Sequence, residues 1–172
     1  QRQMCIRDSY SLDLAGQVLT RMTRHPSIDT EAVFSPDGET IYFTSDRSGG
    51  PQIYKVANRP GARAERVTFE GNYNARPRIS PSGEELAVVH QVQGNFRIAV
   101  VDPSTGLTQV LTNGMLDESP SFAPNGAQII YATRQRGRGV LASVSVDGRV
   151  HQQIVSVEGE VREPVWSPFP RI

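Results

Sequence analysis

The chain of 172 residues has little of several things that would assign a function at once. It holds one cysteine, Cys5, which says nothing about redox compartment. It has no charge excess: 18 basic and 18 acidic residues cancel. Nucleic-acid and polybasic membrane surfaces lean on a basic excess, so the balance argues against both. No apolar run approaches the roughly 20 residues that cross a bilayer as a helix. Metal-ligand spacing of the HxxxH kind is missing, since His25, His90 and His151 stand alone. No GxSxG motif is present to build a nucleophile elbow. The basic run 134–139 (RQRGRG) is one short loop in a neutral chain, and a solvated connection explains it better than nucleic-acid contact.

What the chain does have is a repeat. Phe34-Ser35-Pro36-Asp37-Gly38 returns as Ile79-Ser80-Pro81-Ser82-Gly83, as Phe122-Ala123-Pro124-Asn125-Gly126 and, truncated, as Trp166-Ser167-Pro168-Phe169. The prolines at 36, 81, 124 and 168 are spaced by 45, 43 and 44 residues. Leu19-Thr20, Val67-Thr68 and Leu111-Thr112 precede successive copies and read as equivalent. Such a period is the signature of a stacked architecture.

The repeated phrase has a physical meaning. Proline presets φ at the second position of a tight turn, Asp, Ser or Asn suits the third, and glycine closes it in the left-handed region. Each copy therefore predicts a hairpin. The second strands are Ile41–Thr44, Leu86–Val89 and Ile129–Ala132; the third are Gln52–Val56, Phe96–Val100 and Val140–Val144. A polar fourth strand ends near Val67, Leu111 or Ile154. Pro77, Pro120 and Pro164 fall in the first strands, where Ala32 stands in the first copy. Proline cannot donate to a ladder, so these strands should be edges facing a central channel. The fold class is all-β: a β-propeller of four-stranded antiparallel blades, about three and a half blades of a presumed six-bladed ring. Half a blade is expected at 10–23, full blades at 24–69, 70–113 and 114–157, and a lone first strand at 160–168. Residues 1–9 have no blade pattern and are expected to be foreign to the fold, with 10–169 the propeller and 170–172 a tail. Phe34, Ile79, Phe122 and Trp166 share one phase and are expected in the core between blades.

Phrases within this pattern, TSDRSGGPQIYKV, VTFEG, LDESPSFAPNG and the closing EPVWSPF, resemble the C-terminal propeller of the TolB family over about residues 10–169. The resemblance implies a periplasmic protein-binding propeller of the Tol–Pal envelope system, not an enzyme and without a cofactor. It would bind the peptidoglycan-associated lipoprotein Pal at one channel mouth and support outer-membrane integrity and cell division. The N-terminal domain with which family members engage TolA is not in this sequence. The alternative is a substrate-gating propeller of a prolyl-oligopeptidase-like or tricorn-like peptidase. A channel holding Ca²⁺ is a third possibility, although no contiguous loop supplies a full ligand set.

The candidate binding residues lie in the loops that enter each first strand, at 24–32, 70–77, 113–120 and 157–164. They are His25, Thr30, Glu31, Tyr73, Asn74, Arg76, Asp117, Glu118, Arg162 and Glu163, polar groups that converge on one mouth. By the resemblance, Thr30-Glu31 occupies the place of a family Thr-Glu pair on the face that receives Pal. Glu31 would accept hydrogen bonds there and Thr30 would orient the loop. Glu118 is expected at the same offset before the third turn. His90 and His151 are expected to be structural.

Overall fold

The computed structural model describes residues 8–167. Every regular element in it is a strand. Strands β1 (Tyr10–Asp13) and β2 (Val18–Arg21) form a hairpin. Three four-stranded antiparallel sheets follow. The first contains β3 (Asp29–Phe34), β4 (Thr40–Ser45), β5 (Gln52–Ala57) and β6 (Glu65–Arg66). The second contains β7 (Asn74–Ile79), β8 (Leu86–Val92), β9 (Asn95–Val101) and β10 (Thr108–Val110). The third contains β11 (Glu118–Phe122), β12 (Gln128–Gln135), β13 (Arg138–Ser145) and β14 (His151–Val157). Each sheet pairs its strands in chain order, as a propeller blade does.

The turns behave as their residues predict. Gly38, Gly83 and Gly126 have φ of 74°, 82° and 73°. Ser35 N–H donates to the Thr40 carbonyl at 2.8 Å, and Thr40 N–H returns a bond to Ser35 Oγ at 2.9 Å. Ser80 and Glu85 repeat the pair at 2.8 and 3.1 Å. The serine before each of these prolines is thus spent on closing its hairpin.

Alternate faces of each blade feed separate clusters between blades. Tyr42, Ile53, Leu86, Val88, Ala99 and Val101 join the first blade to the second. Ala87, Val89, Ile98, Ile129, Tyr131 and Val144 join the second to the third. Burying side chains of this size contributes about 1.5–3 kcal/mol each. The shared-phase aromatics divide. Phe122 is buried, Ile79 and Trp166 are half-buried, and Phe34 is 48% exposed. Phe34 ends an inner strand and so departs from the expected core role.

A threonine just past β2, β6 and β10 ties each of these outer strands to its blade. Thr23 Oγ1 accepts from Ser9 N–H at 2.8 Å, Thr68 from Ile53 at 3.0 Å and Thr112 from Ile98 at 2.9 Å. The equivalent of Val67-Thr68 is therefore Met22-Thr23, both buried, and not Leu19-Thr20, whose leucine is 65% exposed. The same bonds place Ser9 in phase with Ile53 and Ile98. Asp8 in turn pairs with Arg21 and accepts from the His25 N–H. Asp8 and Ser9 thus share the contacts of the adjoining hairpin, and residues 1–7 lie outside the described residues.

Residues 158–167 form no ladder, unlike the lone strand expected at 160–168; Pro168 and the tail 170–172 lie outside the described residues. The segment makes no strand pairing among the described residues, although Ser121 of the edge strand β11 reaches it. It is held instead by Gly139 N–H to the Gly159 carbonyl (2.9 Å) and by Trp166 N–H to Ser121 Oγ (3.4 Å).

A candidate binding site at the channel mouth

The first strand of each full blade begins at, or one residue after, a buried polar residue seven positions before its turn proline. Asp29 accepts two bonds of 2.9 Å from Arg47, whose guanidinium also lies over the Phe43 and Tyr54 rings. Asn74 Nδ2 donates to Gln52 Oε1 (2.9 Å) and to the Glu70 carbonyl (2.8 Å). That fixes its amide so that Oδ1 accepts from His90 Nδ1 at 2.8 Å. Burial lowers the pKa of His90, which favours the neutral ring. Asp117 accepts from the hydroxyls of Thr112 (2.6 Å) and Thr133 and from Gly114 N–H. Asn74 and Asp117 are 0% and 1% exposed. Both were expected on the binding rim; both are internal braces, because an unpaired polar group at that depth would cost more than its bonds recover.

Two positions later the inner strands change conformation. Glu31, Arg76, Ser119 and Glu163 have φ of 58°, 56°, 57° and 46°. Each stands five residues before a turn proline. The register shifts between Thr30 and Val33, Ala75 and Arg78, and Glu118 and Ser121. These are β-bulges with a left-handed non-glycine residue, a conformation of appreciable cost that surrounding contacts must hold. The phase also corrects the expected offset: Ser119 is the equivalent of Glu31, and Glu118 that of Thr30.

The three bulge side chains and that of Glu163 meet. Glu31 Oε2 accepts from Thr44 Oγ1 (2.8 Å) and from the Arg76 backbone N–H (2.9 Å), and Oε1 lies 3.4 Å from Arg76 Nε. Arg76 Nη1 donates to Ser119 Oγ at 2.8 Å and to Glu163 Oε1. Ser119 Oγ donates to the same carboxylate oxygen at 3.1 Å. Burial alone would lower the Arg76 pKa, but Glu163, Glu31 and Glu118 outweigh it and raise it. Burial pushes Glu163 up, yet Arg76 and Ser119 hold it below the ordinary carboxylate value.

The remaining candidates surround this ladder. Tyr73 is half-buried, packs edge-on to Phe96 at 5.1 Å, and has its pKa raised by burial and then by Glu31. Thr30 and Arg162 are exposed. Arg162 Nε donates to Glu160 Oε2 at 2.7 Å. Glu118 is half-buried and lines a cleft of about 150 Å³ with Leu116, Thr133, Arg134, Glu160 and Arg162. His25 is exposed but lies apart, in a cleft of about 470 Å³ beside Arg21, Arg24, Arg47 and Arg63. Ser119 was not anticipated; its phase, five residues before a turn proline, was the signal available. Among the described residues no group of three or more His, Cys, Asp or Glu side chains is placed to hold a metal.

Three full blades and a hairpin, with bulged inner strands carrying a polar ladder, define a segment of a β-propeller. The chain belongs to the TolB β-propeller family, whose domain model matches residues 3–170. It is 55% identical over 156 residues to the Tol-Pal system protein TolB of Bordetella pertussis, covering 91% of this chain and 35% of that protein. It is 53% identical over 118 residues to the Tol-Pal system protein TolB of Xylella fastidiosa, covering 67% and 26%. Among solved structures it matches TolB from Acinetobacter baumannii with a TM-score of 0.85 and 46% identity, over 94% of this chain and 40% of that one. The chain thus spans about a third of the length of the curated relatives it matches.

Proposed function

We propose that this chain is part of a periplasmic protein-binding propeller of the Tol–Pal system, and that the bulged channel mouth receives Pal. The observation that supports the reading is the convergence of Glu31, Arg76, Ser119 and Glu163 from four successive repeats into one hydrogen-bonded ladder. Side chains held in place by mutual bonds lose little freedom on binding, which favours affinity. Exposed Thr30 and Arg162 and half-buried Tyr73 and Glu118 supply the adaptable contacts around that core. The family membership favours this over a peptidase's gating propeller. TolA would be engaged through a domain beyond this sequence, and the whole would serve outer-membrane integrity and cell division.

Titration calorimetry tests it. The soluble domain of the cognate Pal is titrated into this chain extended with the remaining blades of the Bordetella pertussis relative. Saturable binding that Thr30→Trp abolishes, at unchanged thermal midpoint, is the expected result. Absence of binding, or binding indifferent to a bulky residue at position 30, would sink the reading.

A further inference from the structure

The ladder contains one member unlike the others. Glu31 is tied on both oxygens, and Ser119 is buried. Glu163 has 59% of its side chain exposed and, among the described residues, bonds through one oxygen, Oε1. It comes from residues 158–167, which pair in no ladder among the described residues. Its surroundings are those of an anion site: Arg76 Nη1, Ser119 Oγ and the nearby charge of Arg78. Arg76 Nη2 donates no hydrogen bond to any described residue, so the guanidinium keeps donors to spare. A carboxylate on a guanidinium is readily exchanged for another, since charge and hydrogen bonds are conserved in the swap.

We infer that Arg76 and Ser119 form a carboxylate subsite in the channel wall, that Glu163 occupies it in the free protein, and that an aspartate or glutamate side chain of the inserted partner segment displaces Glu163 on binding. This rests on the mouth being the partner-binding face. Glu163 is then an internal competitor and Arg76 a specificity-determining residue. The net effect is selection for a segment with an acid at that depth, because an uncharged residue there could not repay the release of Glu163.

Two measurements test it. With the extended propeller and the soluble Pal domain, Glu163→Gln should tighten binding several-fold, and Arg76→Gln should weaken it by roughly tenfold or more. Weakening by Glu163→Gln comparable to that by Arg76→Gln would mean that Glu163 itself holds the partner, and would overturn the inference. Unchanged affinity in both variants would overturn it too. The second measurement needs no partner. Acetate is titrated while the Arg76 Nε–H resonance is followed by NMR. A saturable shift is expected in Glu163→Gln, a much weaker one in the parent and none when Arg76→Gln is added. No saturable shift in Glu163→Gln would remove the subsite, even if Pal binds. Acetate binding without Pal binding would instead keep the subsite and fail the partner assignment.

Discussion

Arg76 and Glu31 join two blades through main chain and side chain together. The Arg76 N–H donates to Glu31 Oε2 at 2.9 Å while its Nε lies 3.4 Å from Oε1. The carboxylate thereby serves a bulged residue 45 positions away whose N–H has left its own ladder. An ion pair a third exposed contributes little by itself, whereas a bulge amide without its acceptor is costly.

Glu31→Ala is therefore expected to lower stability by about 1–2 kcal/mol. Urea midpoints decide it; a midpoint equal to the parent's would show that Thr44 Oγ1, 3.1 Å from the same N–H, suffices as acceptor.

Gly38 has φ of 74° and no neighbour within 4 Å of where a Cβ would sit, so only backbone strain opposes substitution. Gly38→Val should cost about 1–2 kcal/mol and Gly38→Asn clearly less, since asparagine tolerates the left-handed region. Equal urea midpoints for the two variants would contradict the strain account.

Asp117 serves two threonine hydroxyls and a backbone amide from within the fold. Asp117→Ala strands these donors and should cost about 2–4 kcal/mol. Glu118→Ala, one residue along and half-buried, should cost under about 0.5 kcal/mol. Chemical denaturation of the pair checks whether adjacent acids divide into brace and surface.

The buried His90 ring, bonded to Asn74, has a pKa below its ordinary 6.5. In the unfolded chain it takes up a proton near that value, and in the folded chain only at lower pH. Its share of stability is thus complete above pH 6.5 and is lost as pH falls from there through the folded pKa. Urea midpoints between pH 7.5 and 5 should fall more for the parent than for His90→Gln. Parallel curves would refute the assignment.

The period, the turns and the order of strands were legible in the sequence because each depends on local chemistry. Pro36, Pro81 and Pro124 set backbone angles within their own hairpins, and Gly38, Gly83 and Gly126 adopt the φ that their neighbours require. Unbroken apolar runs in β4, β8 and β12 mark strands buried on both faces. The mouth was legible only as a region. Which of Asn74, Arg76, Asp117 and Glu118 turn inward depends on strand register, and one inserted residue reverses the facing of those beyond it.

What the sequence by itself determined is a repeated antiparallel blade with glycine-closed turns, since those preferences act over a few residues. The tertiary structure alone decided the bulges and the ladder. Glu31, Arg76, Ser119 and Glu163 have no local preference for left-handed backbone, which costs a side chain with a Cβ roughly 1–2 kcal/mol. The conformation holds because partners 43, 45 and 87 residues away supply bonds to these same residues. Contacts at that separation exist only once the blades have packed.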